Sequence, residues 1–216
     1  MRIGIVGGTG KEGAGLGARW AQAGHEVLIG SRDPERARAK AAELAARVPD
    51  ARVSGASNRE AAASADVVVL TVPADGLRTT LPELGEACRG KVVVSTVVPL
   101  SFGGGRLYTP PPEGSAAELV QALLGPDVKI VAAFHHIAAH ELQADDHPLD
   151  SDLLLCGNDQ KAKDVVAELG RSMQLRVVDA GPLTNSGAVE GITALLATIN
   201  RRYKLKNSGI KITGLR

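Results

Sequence analysis

Aromatic residues are nearly missing: they make up 2% of 216 residues, with one Trp, two Tyr and two Phe. The core must be assembled from Ala, Val, Leu and Ile, which suit helices packed on parallel strands. Cysteine is as scarce. Cys88 and Cys156 are far apart and sit in or beside apolar stretches. That excludes a disulfide framework and predicts buried, reduced thiols in a cytoplasmic protein. No sign of charge dominates: 25 Lys and Arg against 24 Asp and Glu leave a net charge of +1, which argues against a nucleic-acid partner. No apolar run approaches membrane-spanning length, so no membrane partner is expected. Ile3 to Val6 is too short for the apolar segment of a signal peptide.

What the chain does have is glycine in a telling place. Arg2-Ile3-Gly4-Ile5-Val6 runs straight into Gly7-Gly8-Thr9-Gly10-Lys11-Glu12-Gly13. A strand feeding a G-x-G-x-x-G turn is what a dinucleotide site needs. Gly8 permits the tight turn, Gly10 lets a pyrophosphate approach the backbone, and Gly13 lets the next helix pack close. The phosphates then lie on free N–H groups at the helix N-terminus, where the helix dipole favours negative charge. The second strand ends in Gly30-Ser31-Arg32-Asp33-Pro34-Glu35-Arg36. NAD sites place an acid there for the ribose hydroxyl. Here Ser31, Arg32 and, one helical turn on, Arg36 suit a 2′-phosphate, which predicts NADP. Asp33 reads either as a ribose acid or as a helix cap before Pro34.

Strands and helices alternate along the chain. Expected strands are 2–7, 26–30, 52–55, 67–72, 91–95 and 128–133. Expected helices are 11–23, 35–47, 58–64, 77–88 (interrupted near Pro82) and 116–124. Further on come strands 152–156 and 175–179 around a helix over 160–172, then a last helix over 187–202. The fold class is α/β: a Rossmann-type doubly wound parallel sheet with a small C-terminal extension. Residues 1–133 are the expected NADP-binding domain, and 134–216 a small C-terminal part of the same compact unit. The long stretch from Thr96 to Gly114, with Gly103 to Gly105 and Pro110 to Pro112, predicts an ordered loop near the site. With no large helical domain after the sheet, the hydride partner must fit a shallow cleft at the carboxyl edge of the strands. A large, flat second cofactor suits that cleft better than a small acid.

The chain resembles the NADPH-dependent reductases of coenzyme F420, a deazaflavin. The likeness runs nearly end to end. It is carried by Gly7-Gly8-Thr9-Gly10, Gly30-Ser31-Arg32, Leu70-Thr71-Val72-Pro73, Val97-Val98-Pro99-Leu100, Ser115-Ala116-Ala117-Glu118, Phe134-His135-His136-Ile137, Asp179-Ala180-Gly181-Pro182-Leu183-Thr184-Asn185-Ser186 and Gly209-Ile210-Lys211. The Asp-Ala-Gly-Pro-Leu and histidine segments are the specific ones. The resemblance implies a homodimer that moves a hydride reversibly between NADP(H) and coenzyme F420, both small-molecule partners. It implies that Thr9, Ser31, Arg32 and Arg36 hold the 2′-phosphate side and the glycine loop. Thr71, Val72, Pro73 and Ala74, with Val98 and Pro99, would line the path to the nicotinamide. His135, His136, Ile137 and Ala138 would flank the ring stack. Where the family carries one histidine this chain has two, and where it carries Arg after Asn-Ser this chain has Gly187.

Hydride transfer asks for two stacked rings held dry and oriented, with hydrogen bonds where charge grows. A neutral or protonated His135 is the expected polarising group. Two other functions on the same fold are reduction of an imine, flavin or ferric acceptor, and NADP sensing without turnover. A metal site is the rival reading of His135, His136, His140, Asp145, Asp146 and His147: on a helix, His136 and His140 would share a face. No metal is expected, since the segment lacks an HExxH pattern and a Cys pair. From Gly191 onward there is no acid, while Arg201, Arg202, Lys204, Lys206, Lys211 and Arg216 are present. Such a tail reads either as an attractor for an anionic cofactor or as a solvated helix end whose cations suit the dipole.

Overall fold

The computed structural model describes residues 1–103, 105–144 and 148–215. One sheet organises them. Its strands are β1 (Arg2–Val6), β2 (Glu26–Ser31), β3 (Arg52–Ser57), β4 (Val67–Leu70), β5 (Val92–Ser95), β6 (Lys129–Ala133), β7 (Asp152–Gly157) and β8 (Arg176–Asp179). They lie in the order β3-β2-β1-β4-β5-β6-β7-β8. The central strands are β-branched and buried on both faces, as in Val67-Val68-Val69-Leu70, because helices cover the sheet on both sides.

One face carries α1 (Lys11–Gln22), α2 (Pro34–Arg47) and α8 (Gln160–Ser172). Leu16, Ala41, Leu44, Val166 and Leu169 build its core with Trp20. The Trp20 indole N–H donates to the Leu169 carbonyl at 3.2 Å, and its ring meets Phe134 edge-on at 5.5 Å. The other face carries α3 (Asn58–Ser64), α4 (Leu77–Thr80), α5 (Gly85–Cys88), α6 (Ala116–Leu124) and α9 (Ser186–Tyr203). Its core is aliphatic: Leu70, Leu77, Leu81, Leu84, Val120 and Val189. Cys88 and Cys156 are free and buried, and burial pushes both thiols up to about 11.

The strands expected beyond 133 continue the sheet as β7 and β8. The expected helix over 77–88 is interrupted near Pro82, as its sequence foretells: it breaks into α4, a 3₁₀ turn at Leu81–Leu84 and α5, since Pro82 lacks the N–H that a continuous helix needs. Two features differ from the sequence reading. The pairing is parallel except between β6 and β7, which run antiparallel. A short helix, α7 (Ala139–Gln143), stands where only loop was expected, with Leu142 fully buried.

The stretch after β5 is a flap. Leu100 bridges Tyr108, and the Ser101 N–H donates to Leu107 at 2.9 Å. Phe102, one of two phenylalanines, stands 76% exposed near its tip. The flap is tied to α9 by the Tyr108 hydroxyl, 3.1 Å from the Glu190 carboxylate. Between β1 and β4 the winding reverses, and the carboxyl ends of those strands open the crevice where such sheets bind ligands.

Candidate active site

The glycine turn fills that crevice. Gly8 N–H donates to the Gly30 carbonyl at 2.9 Å, which ties the turn to β2. Gly7 N–H donates to the Asn58 side chain at 3.1 Å. Thr71 donates both its N–H and its hydroxyl to the Val6 carbonyl, and Val72 packs on Gly7. Pro73 follows as the cap of a 3₁₀ turn at Ala74–Gly76. Gly13 is required by packing: a Cβ there would lie 2.7 Å from both the Gly8 Cα and the Thr71 hydroxyl. Gly10 is different. A Cβ on it would meet nothing closer than 3.8 Å, so the fold leaves room and the space in front of it is open to a ligand. No side chain caps α1, which leaves its first N–H groups for an anion. Thr9 is half-buried in the turn, and Lys11 is exposed at the head of α1.

Beside the turn lies a cavity of about 520 Å³, walled by Ser31, Arg32, Ser57, Asn58, Arg59, Thr79, Thr80, Glu83 and Leu84. Ser31 is buried. Arg32 and Arg59 are exposed, with no ion-pair or hydrogen-bond partner among the described residues. Asp33 resolves as a cap: its carboxylate accepts from the Glu35 and Arg36 N–H groups at 3.0 and 3.4 Å. Arg36 is exposed on α2, outside that cavity wall. Arg59 was not singled out in the sequence. It comes to the pocket because β2 and β3 pair with Ser31 opposite Ser57, so the residues just past both strands share one edge.

On the other side of the turn a cavity of about 190 Å³ is lined by Glu12, His135, His136, Ile137, Ala138, Ala139, Thr193, Leu196, Ala197, Asn200 and Ser208. Phe134 holds a left-handed backbone, φ 67°, a conformation that costs a non-glycine residue energy and clusters at functional sites. The turn it makes closes with the Ile137 N–H on the Phe134 carbonyl at 3.1 Å. His135 is 5% exposed, and neither of its ring nitrogens has a partner. Burial pushes it down to about 3, with His136 adding to the effect, so it is neutral and the protonated alternative falls away. His136 is tied down: its Nε2 lies 2.8 Å from the Asp152 carbonyl. That contact makes Nε2 the protonated nitrogen and leaves Nδ1 as an unpartnered acceptor. The Leu154 N–H faces the same Nε2 at a longer 3.3 Å.

Glu12 is part-buried. Burial raises it to about 7, against the pull of the Thr96 hydroxyl. Thr193 donates its hydroxyl to the His135 carbonyl at 3.1 Å. The 193-196-197-200 spacing is that of one helix face, a signal the sequence carried unread. Val98 and Pro99 form the half-buried root of the flap. The helical pairing of His136 with His140 does not form, since α7 begins only at Ala139. No metal-ligand cluster exists among the described residues. Asp145, Asp146 and His147 of that reading, and Arg216 of the tail, lie outside the described residues. In the tail, Lys211 pairs with Asp150, while Arg201, Arg202, Lys204 and Lys206 are exposed.

An open glycine cradle, two guanidiniums beside a buried hydroxyl, and a buried imidazole with two idle nitrogens fit a phosphorylated dinucleotide and a second polar ring system. The family model described as "NADP oxidoreductase coenzyme F420-dependent" matches residues 2–99. The F420-dependent NADP reductase of Methanocaldococcus jannaschii is 42% identical, covering 100% of this chain and 99% of the relative. That of Methanothermobacter thermautotrophicus is also 42% identical, covering 100% and 96%. A crystal structure from Arthrobacter sp. FB24, described as a candidate F420-dependent NADP reductase, superposes with a TM-score of 0.83 at 29% identity over 99% of both chains. With 42% identity over the full chain, the chain belongs to the F420-dependent NADP reductase family.

Proposed function

We propose that this chain transfers a hydride reversibly between NADP(H) and coenzyme F420 at the carboxyl edge of the sheet. Bound NADP(H) and the deazaflavin supply the chemistry: a hydride passes between the nicotinamide C4 and the deazaflavin C5, and a proton balances the reduced ring. The chain's work is to bind, orient and dry the pair.

Gly8 to Gly13 and the free N–H groups of α1 hold the diphosphate. Arg32 and Arg59, with the Ser31 hydroxyl, grip the 2′-phosphate. Arg36 adds charge nearby. Thr71, Val72 and Pro73, with Val98 and Pro99 at the flap root, lead to the nicotinamide. Ile137 and Ala138 flank the ring stack. A neutral His135 keeps one N–H and one lone pair free, so it donates to a ring acceptor without bringing charge. His136 acts through β7, fixing the turn that carries His135.

Residues 1–133 are then the dinucleotide half and 134–216 complete the acceptor cleft. The observation that carries this reading is contiguity: Glu12, in the first turn of the phosphate helix, and the unpartnered His135 line one cavity.

A cytoplasmic homodimer is the form we propose. Supporting it are the free, buried cysteines and an apolar stripe on α9, with Leu195 57% and Tyr203 66% exposed.

Mixing the protein with NADPH and oxidised coenzyme F420 should bleach the deazaflavin absorbance, and NADP⁺ with the reduced form should restore it. No change in either direction overturns the reading. Arg32→Ala should weaken NADP⁺ by about 1.5–3 kcal/mol, the worth of a charged hydrogen bond, and leave NAD⁺ little changed. Equal losses for both would remove Arg32 from the 2′-phosphate.

A further inference from the structure

Glu12 is an acid in the first turn of the phosphate-binding helix. It sits between Lys11 and Gly13, where the diphosphate is to dock. It makes no ion pair with any described residue. We propose that Glu12 takes up a proton when the dinucleotide diphosphate docks, so that cofactor binding to this chain is proton-coupled. The proposal rests on the dinucleotide reading above.

The argument is electrostatic. A carboxylate and a diphosphate held at one helix N-terminus compete for the same N–H groups and the same dipole. In a half-buried cleft their repulsion is far larger than in water. A counter-charge inside the cavity would relieve it, and the described residues that line it include no Lys or Arg. From the turn before α7, His135 and His136 face the cavity, and both are held neutral by burial. From α9 come Thr193 and Asn200, and from the tail Ser208, all uncharged. The end of β5 presents the Thr96 hydroxyl. On α7, which packs on α1, His140 is exposed and Glu141 lines the neighbouring cavity. On α1 itself Lys11 is exposed. The remaining relief is a proton on Glu12. Burial already brings the free group to about 7, so a modest further push by the diphosphate leaves it protonated through the physiological range. The protonated carboxyl then becomes a hydrogen-bond donor in the cavity shared with His135.

The sign follows from linkage. Binding that takes up a proton weakens as pH rises through the free group's range, by up to about tenfold per pH unit. Calorimetry of NADP⁺ binding at pH 8 in phosphate and in Tris reads the proton directly from the dependence of enthalpy on buffer ionisation. The whole chain should show an uptake approaching one proton more than Glu12→Gln, because the cofactor's own phosphate contributes equally to both. Above pH 7 the affinity of Glu12→Gln should fall less steeply. Thr96→Val, which deletes the hydroxyl that favours the charged form, should move the pH at which affinity falls upward. Equal buffer slopes in the two proteins, or an unmoved midpoint in Thr96→Val, overturn the proposal and leave the dinucleotide site standing. Absence of any binding heat overturns both.

Discussion

At the scale of single residues, the two glycines of the turn answer to different masters. Gly13 has protein atoms pressed against it, whereas Gly10 has open space. Gly10→Val should therefore fold with a thermal midpoint close to that of the parent. It should lose NADP⁺ binding in calorimetry, because the side chain occupies the path of the phosphates. A collapsed midpoint would mean that the fold, not a ligand, needs Gly10. The histidines separate in the same way. The sequence offered two equivalent rings. The structure spends one on the Asp152 carbonyl and leaves the other unpartnered. Nothing in the order His135-His136 foretold which, because the choice depends on β7, which pairs antiparallel to β6 and brings Asp152 alongside.

Among elements, α6 and α9 are joined by a buried carboxylate. Glu190 is fully buried. It accepts from the Ala116 and Ala117 N–H groups at 3.0 and 3.1 Å, so it caps α6 from a distant helix. Burial outweighs these donors and the Tyr108 hydroxyl and raises Glu190 to about 7. Its unfolded counterpart ionises near the ordinary value of 4.5. Between those two pH values the folded chain holds a proton that the unfolded chain has lost, so stability falls as pH rises from about 4.5 to 7. Between pH 5 and pH 8, chemical denaturation of Glu190→Gln should show less loss of stability with rising pH than the parent; Glu12 pulls the same way as Glu190 and the buried His135 the opposite way in both proteins. An unchanged difference would mean that Glu190 stays ionised when folded. The elements themselves were largely legible. The apolar runs of β1, β4 and β5 and the Ser115 cap of α6 mark their own positions. The broken α4–α5 segment was half legible through Pro82. The five residues of α7 were not, since so short a helix has no period to read and forms because Leu142 packs into the core against α1.

For the whole molecule, the exposed stripe on α9 is the candidate dimer face. Leu195→Lys places a charge at its centre. If that face joins two copies, size-exclusion chromatography with light scattering should report a monomer of 22.3 kDa where the parent gives twice that mass. A variant that stays dimeric moves the interface elsewhere, to the flap with its exposed Phe102 for example.

The sequence by itself determined what is local: an alternating α/β chain, a phosphate turn after the first strand, and an arginine after the second. Each rests on neighbours within a few positions, where backbone geometry and side-chain period are set. Only the tertiary structure decided that Arg59 shares a pocket with Arg32, that Asp33 is a cap, that His135 is neutral and unpartnered, and that Glu12 is an acid without a counter-ion. Those facts depend on strand register and on burial by distant segments, and neither is written in any short stretch of chain.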